Sequence, residues 1–180
     1  MNENQASQLI TTILKQKGPA TLQFKTGLVK QSQDDKPFDP HYKLLEHAGL
    51  IKSVKKDAGL LVTLTPAGEK VLTDIQGTVR TKRLQGGEAI TVPLATRKLA
   101  AITKVEVLSP TRANVNYTWK WEPTKMGEVF DADSPLVAKF GIWERQSLIK
   151  DYNVDFYHAE PKPESFTFVR GPAGWSIAED

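Results

Sequence analysis

The sequence lacks cysteine, and methionine and histidine are scarce. Its 180 residues include no cysteine, two methionines and three histidines. The missing cysteine excludes disulfide bonds, thiolate catalysis, zinc–thiolate sites and iron–sulfur clusters. The longest apolar runs span a few residues, well below the roughly 20 that a membrane-spanning helix needs. We therefore expect no membrane span.

The composition is that of a globular protein, with 39% hydrophobic and 25% charged residues. This balance excludes a chain that is disordered throughout. The length suits one ordinary domain or two small ones, and it allows a substantial core to be buried.

The net charge is +3, and all of the excess lies in the first half of the chain. Residues 1–80 hold 11 Lys and Arg against 8 Asp and Glu, whereas residues 81–180 hold 13 of each. Surfaces that bind phosphates usually concentrate their basic side chains. An excess of three charges over eighty residues gives little support to nucleic-acid binding.

Local patterns predict three helices and one hairpin in the first part of the chain. Apolar residues at helical spacing predict a helix over residues 5–16, with Asn4 as its N-cap. Asp39-Pro40 and Thr65-Pro66 each predict a helix start. Two short β-type runs around an Asp- and Gly-containing turn predict a hairpin over residues 50–64. Residues 20–38 show no clear period.

After residue 77 the pattern becomes typical of strands. Strands are predicted over residues 78–84, 88–94 and 99–108, and a closing hairpin near the end of the chain pairs residues 164–169 with 175–178. The clearest strand is residues 112–121, in which apolar and polar side chains alternate without exception. Such alternation indicates a sheet with one buried and one solvated face.

These patterns together predict an α+β fold. We expect a winged-helix-like unit over residues 1–77, followed by a β-rich domain with a twisted antiparallel sheet over residues 78–180. The change from helical to strand-like periodicity places the junction.

Residues 38–76 carry a recognisable order of signals. A helix ending at Ala48-Gly49 is followed by Leu50-Ile51, a basic hairpin, and the run from Val62 through Leu64-Thr65-Pro66 to Leu72. This order resembles the wing region of bacterial winged-helix regulators, such as the multiple-antibiotic-resistance regulators. The resemblance implies a winged-helix-like fold and, as an expectation, contact with DNA.

A regulator of this kind presents a second helix of a helix-turn-helix pair to the major groove. Residues 20–38, which should hold the preceding helix, lack helical periodicity, and Asp39 would bring a negative charge towards phosphates. DNA binding is therefore the disfavoured alternative. Its candidate contacts are His41, Lys43, Lys52, Lys55 and Lys56.

The whole chain also loosely resembles small exported or lipid-anchored bacterial proteins. The likeness rests on a winged-helix-like half, a Val115-to-Trp121 strand rich in aromatics, and a terminal Gly-Trp hairpin. It implies an extracytoplasmic location after removal of a leader, which we favour slightly over a cytoplasmic one.

Tryptophan and tyrosine define the most distinctive candidate face. Tyr117, Trp119 and Trp121 share one side of the alternating strand, and Trp143 and Trp175 could complete an aromatic surface. Core packing is one interpretation of this stripe. The other is a concave sheet face that holds a small apolar ligand or side chains of a partner protein, in which case Trp119 lies in an open cavity.

No pattern in the sequence predicts catalysis, a metal or a cofactor. The nucleophile-elbow, phosphate-loop and dinucleotide glycine motifs are missing. His41 and His47 are six residues apart, so one helix face cannot present both to a metal. Asp155, His158 and Glu160 form a loose set of ligand types, for which surface polar residues are the simpler interpretation.

The sequence therefore favours a non-enzymatic binding or interaction module of bacterial type. The alternative is a winged-helix DNA-binding regulator whose C-terminal sheet senses a ligand or forms a dimer.

Overall fold

The computed structural model describes residues 1–152 and 161–178. Helices and antiparallel strands occur together in them, which confirms the predicted α+β class. The chain forms two compact units. The first unit comprises Met1–Gly18, Thr96–Glu122 and the described residues after 160, and the second comprises Pro19–Ala95 and residues 123–152. The division after residue 77 stays a prediction.

Five α-helices and nine strands make up most of the regular structure of the described residues. The helices are α1 Glu3–Gln16, α2 Pro40–His47, α3 Pro66–Asp74, α4 Lys125–Phe130 and α5 Ile142–Tyr152. The strands are β1 Ala20–Lys25, β2 Gly27–Lys30, β3 Ile51–Lys56, β4 Gly59–Leu64, β5 Val79–Lys82, β6 Glu88–Ser109, β7 Arg112–Pro123, β8 Lys162–Gly171 and β9 Gly174–Ile177. None of these helices has the length and apolar character needed to cross a membrane.

The first unit contains α1 and a sheet with the strand order β6-β7-β8-β9. Its central strand β7 shows the predicted alternation. Ala113, Val115, Tyr117, Trp119 and Trp121 are buried, and the intervening side chains are half-buried or exposed. The prediction of one buried and one wetter face is therefore confirmed, as is the closing hairpin of β8 and β9.

Helix α1 begins two residues earlier than predicted. The Asn2 side chain accepts a hydrogen bond from the backbone N–H of Gln5 at 2.9 Å, and the Gln5 side chain accepts one from the backbone N–H of Asn2 at 3.1 Å. This reciprocal capping box satisfies two otherwise unpaired donors, so Asn2 and not Asn4 is the N-cap.

The second unit contains two sheet regions. Strands β2, β4 and β3 form a three-stranded antiparallel sheet with β4 in the centre. The first part of β6 lies between β1 and β5, because Ile90 pairs with Phe24 on one side and with Arg80 on the other. The predicted β3–β4 hairpin is confirmed, whereas β1 and β2 occupy a stretch in which no element was expected.

Caps explain two helix starts of this unit. The Thr65 hydroxyl accepts the backbone N–H of Gly68 at 3.1 Å and donates to the carbonyl of Gly49 at 2.6 Å, which anchors α3 to the end of α2. Asp39 occupies the N-cap position of α2, as predicted, but its side chain makes no capping hydrogen bond. Its carboxylate is therefore available for other interactions.

One expectation about the strands was wrong, and one helix was not anticipated. The strands expected over residues 88–94 and 99–108 are one continuous strand, β6, because no turn residue interrupts residues 95–98. Helix α4 lies in a stretch for which no element was predicted; the Thr124 hydroxyl caps it by accepting the N–H of Gly127 at 3.1 Å.

We predict that Gly59→Ala lowers the free energy of unfolding by about 3 kcal/mol. A Cβ atom at this position would lie 1.9 Å from the carbonyl oxygen of Val29, so β2 and β4 would have to separate. Urea unfolding measures the effect. The matched control is Gly171→Ala, whose Cβ would meet no atom within 4 Å and which should change stability by less than about 0.5 kcal/mol. Equal stability of the two variants would contradict the close approach of β2 and β4.

Candidate ligand-binding cleft

The aromatic stripe predicted on β7 lies in the interior of the first unit. Tyr117, Trp119 and Trp121 are 1%, 6% and 4% exposed. The Trp119 and Trp121 rings meet edge to face with centroids 5.3 Å apart, and Tyr117 stacks on Phe166 at 5.9 Å. Such contacts are typical of a packed aromatic core.

Charged groups cover the Trp119 end of this stripe. The Arg97 guanidinium lies 4.4 Å from the Trp121 ring centre and 5.4 Å from that of Trp119, and it donates to the carbonyls of Lys17 and Gly18. The Lys162 ammonium lies 5.6 Å from the Trp119 ring. Cation–π contacts therefore occupy the ring faces to which an apolar ligand would have to bind.

A polar cluster lies beside the same rings. The Tyr117 hydroxyl donates to the Glu164 carboxylate at 2.6 Å, and Lys17 pairs with the same carboxylate at 3.0 Å. Partial burial alone would raise the pKa of Glu164, but hydrogen bonds from Tyr117 and Lys17 outweigh this effect and lower it. The Trp119 indole N–H makes no hydrogen bond of ordinary geometry within the described chain, although it contributes to the lowered pKa of Glu164.

The other two aromatic candidates do not join this cluster of three. Trp143 belongs to the second unit and is 84% exposed. Trp175 is half-buried beside Leu9 of α1, at a shallow depression of about 240 Å³. The structure thus brings Tyr117, Trp119 and Trp121 together and leaves Trp143 and Trp175 elsewhere.

The five residues considered for DNA contact differ from one another in burial and pairing. His41 is buried, at 6% exposure, and Lys43 pairs with Glu144 at 3.2 Å. The strand β3 lysines Lys52, Lys55 and Lys56 are exposed. In the described chain, the segment between β2 and α2 contains no helix, so a helix-turn-helix pair is not formed there.

A cleft of about 690 Å³ in the second unit offers a different candidate site. Its floor is the solvent-facing side of β1 and β6. Thr21, Gln23 and Lys25 alternate with the buried residues Leu22 and Phe24, so these three side chains project to one face. Gln23 pairs with Thr91 across the strands, which places two hydrogen-bonding side chains next to each other.

The walls of the cleft come from the loop before α2, the start of α2 and the end of α5. The Tyr42 hydroxyl accepts the backbone N–H of Lys25 at 2.9 Å and so joins α2 to the outer edge of β1. The Lys25 ammonium pairs with Asp35 at 2.5 Å, which fixes the loop against the same strand. Ser32 holds this loop in a turn by accepting the N–H of Asp35 at 2.9 Å.

His41 is the unusual residue of the cleft. It lines the cavity, yet its Nδ1 has no hydrogen-bond partner within the described residues. Burial lowers the pKa of His41 to about 4, and the nearby Asp151 carboxylate opposes this shift only in part. A buried nitrogen without a hydrogen-bond partner costs about 1–3 kcal/mol. Because Nδ1 itself has almost no accessible surface, a ligand recovers this cost only if the ring turns towards the cleft.

Carboxylates and phenols surround this imidazole. The Tyr152 ring centre lies 5.5 Å from that of His41. The pKa of Tyr152 is raised, first by burial and then by the charges of Asp151 and Asp39, which line the same cleft. Burial likewise raises the pKa of Tyr42 to about 12. Both phenols therefore stay protonated and can donate hydrogen bonds at neutral pH.

The charges on the cleft are predominantly negative. Four carboxylates and two ammonium groups line it: Asp34, Asp35, Asp39, Asp151, Lys25 and Lys36. Because Lys25 and Asp35 pair with each other, three carboxylates face one ammonium group. The electrostatic preference is for a cation.

Sequence reasoning missed most of this site. It considered His41 as a DNA contact or, with His47, as a metal ligand, and Asp39 as a cap or as a charge that would oppose DNA; it assigned no element to residues 20–30. One usable signal was the alternation of Thr21, Gln23 and Lys25 with two apolar residues. Nothing in the sequence indicated that Asp151 would lie beside His41, because 110 positions separate them.

A metal site is not part of this arrangement. Within residues 1–152 and 161–178, no group of three His, Asp or Glu side chains is placed to hold a metal ion. The loose ligand set of Asp155, His158 and Glu160 lies outside the described residues.

Comparisons of the chain with protein-family models, curated proteins and solved structures find no match. The chemistry of the cleft residues is therefore the basis on which its function is proposed.

We predict that His41 makes stability dependent on pH. In the unfolded chain the His41 imidazole takes up a proton near pH 6.5, whereas in the folded protein its pKa is about 4. The contribution of His41 to the free energy of unfolding is therefore unaffected above pH 6.5. It falls as the pH drops towards 4, by about 2 kcal/mol between pH 7 and pH 5.

Urea unfolding at pH 7 and pH 5 tests this dependence. In His41→Gln the difference in stability between the two pH values should shrink by about that amount, whatever the absolute stability of the variant. The control is His47→Gln, since His47 is exposed on the same helix. An unchanged pH dependence in His41→Gln would show that His41 is not buried in its neutral form.

Proposed function

We propose that this protein is a non-enzymatic binding module whose cleft in the second unit holds a small organic cation with hydroxyl or amide groups. The observation that carries the proposal is the charge of this cleft of about 690 Å³, where Asp34, Asp39 and Asp151 remain after Lys25 and Asp35 have paired with each other. The Nδ1 atom of His41 is buried and has no hydrogen-bond partner in the described structure, so a ligand recovers this cost only if its binding turns the ring towards the cleft.

The cationic character of the ligand follows from the carboxylates. Asp39 makes no capping hydrogen bond, and Asp39 and Asp151 both line the cleft with Tyr152. An ammonium group that contacts either carboxylate would gain charge-assisted hydrogen bonds, which are stronger than neutral ones. The neutral imidazole of His41 would not repel it.

The hydroxyl or amide groups of the ligand are suggested by the floor of the cleft. Thr21, Gln23 and Thr91 present short polar side chains that can both donate and accept hydrogen bonds. A purely apolar ligand would leave these groups unpaired. A polar cation is therefore favoured over the small apolar ligand considered for the aromatic stripe.

A winged-helix-like arrangement of residues 38–76 is retained as part of the proposal. It is supported by the order of α2, the β3–β4 hairpin and α3, together with the Thr65 bond that joins the ends of the two helices. DNA binding receives less support, because His41 is buried and Lys43 is paired.

The experiment uses the full chain and pairs of matched probes. Glucosamine is compared with glucose, and ethanolamine with ethylene glycol, by calorimetry and by amide NMR shifts at Gln23 and Thr91. We expect the amine of each pair to bind more tightly and to shift these two amides. Equal binding of amine and neutral probe, or no shift at the cleft with either pair, would contradict the proposal.

Variants locate the cation within the cleft. Asp39→Asn and Asp151→Asn should each weaken binding of the amine by about tenfold, because each removes one partner of a charge-assisted contact while keeping the shape of the side chain. Asp57→Asn, in the exposed turn between β3 and β4, is the control and should bind as the unaltered chain does.

A further inference from the structure

The edge of the sheet in the first unit is unusually long. With the strand order β6-β7-β8-β9, the second part of β6 has β7 on one side and no strand of the described chain on the other. Strand β1 pairs with β6 only as far as Ala95. Residues 96–109 therefore present a row of backbone N–H and C=O groups at an open edge, which is a template for pairing with another chain.

The side chains along this edge are exposed and in part apolar. Val107 is 57% exposed and Leu108 is 54% exposed. Thr103, Lys104 and Glu106 are exposed as well. A long, exposed edge with apolar side chains is normally avoided or covered, so an occupant is expected here.

The order of charged residues along this edge indicates that its pairing partner is a second copy of the chain. Lys104 and Glu106 project to the same face and form an ion pair of 3.3 Å within the strand. If a second copy pairs antiparallel about a twofold axis at Val105, Lys104 of each copy lies opposite Glu106 of the other. The same register places Ile102 opposite Leu108 and Thr103 opposite Val107, so apolar side chains meet as well.

Neighbouring registers are less favourable. An axis at residue 104 would place two lysines opposite each other, and an axis at residue 106 would place two glutamates opposite each other. Like charges directly opposite in an antiparallel pair are destabilising. An unrelated extended peptide would have no such match, whereas a second copy supplies it by symmetry.

We infer that the protein forms an isologous homodimer through antiparallel pairing of residues 102–108 of β6. Both partners then satisfy the open backbone groups of this edge and exchange two Lys104–Glu106 pairs. The dimer edge belongs to the first unit and is independent of the ligand proposed for the second.

Charge reversal with mixing tests the register. Lys104→Glu and Glu106→Lys should each raise the dimer dissociation constant about tenfold, because each converts two attractive pairs into two repulsive ones. An equimolar mixture of the two variants should form a heterodimer of native affinity, since both carboxylates of one chain then face ammonium groups of the other. The double variant, which combines both substitutions, should dimerise as the native chain does. Sedimentation velocity over a range of concentrations measures these four samples and the native chain.

A cross-link provides a second measurement that does not depend on charge. Because the chain has no cysteine, Val105→Cys introduces a single thiol, which lies at the axis opposite its own copy. Directly opposite strand residues have the Cα separation that a disulfide needs. Mild oxidation should give a covalent dimer of Val105→Cys, whereas the control Ala58→Cys, in the exposed turn after β3, should remain monomeric under the same conditions.

Each outcome either supports or overturns the dimer. A native chain that stays monomeric at all concentrations overturns it. So does a dimer that both charge reversals leave unaffected, or one in which Val105→Cys does not cross-link. Weakening by each single reversal, recovery in the mixture and cross-linking at residue 105 together support it.

Discussion

The buried face of β7 is the constraint on which the first unit depends. Five side chains of this strand, including two tryptophans and a tyrosine, must be removed from water, and each large one contributes about 2–3 kcal/mol when buried. The polar ends of these rings determine their surroundings: the Tyr117 hydroxyl binds Glu164, and Arg97 covers the indoles. The three aromatic rings are thereby buried against other residues of the first unit.

The second unit meets a different requirement. The loop before α2 and the outer edge of β1 carry backbone N–H groups that are not paired with a neighbouring strand. Side chains accept hydrogen bonds from these groups instead. Tyr42 accepts the N–H of Lys25, and Lys25 in turn holds Asp35. These bonds fix α2 and the loop to the edge of β1 and so hold the walls of the cleft in place, with Nδ1 of His41 left without a hydrogen-bond partner in the described structure.

The helices and strands were largely predictable from the sequence, and the errors in these predictions concern single caps and strand bounds. Alternation located β7, and Thr65 and the Gly-containing turns located α3 and the hairpins, because each signal depends on residues a few positions apart. The Asn2 cap was misplaced by two residues, since Asn2 and Asn4 are equally good caps until the partner at Gln5 is considered. A break within β6 was expected because the polar run Thr96-Arg97-Lys98 separates two apolar stretches, whereas the strand continues through it.

By itself, the sequence determined the α+β class, the absence of cysteine chemistry and the buried face of β7. These follow from composition and from periodicities within single elements. The candidate cleft was decided only by the tertiary structure. It joins β1, the start of α2 and the end of α5, and burial of His41 beside Asp151 depends on how segments more than a hundred residues apart pack together. The desolvation of an imidazole depends on all the atoms around it, and the neighbours of His41 in the sequence supply only a few of these.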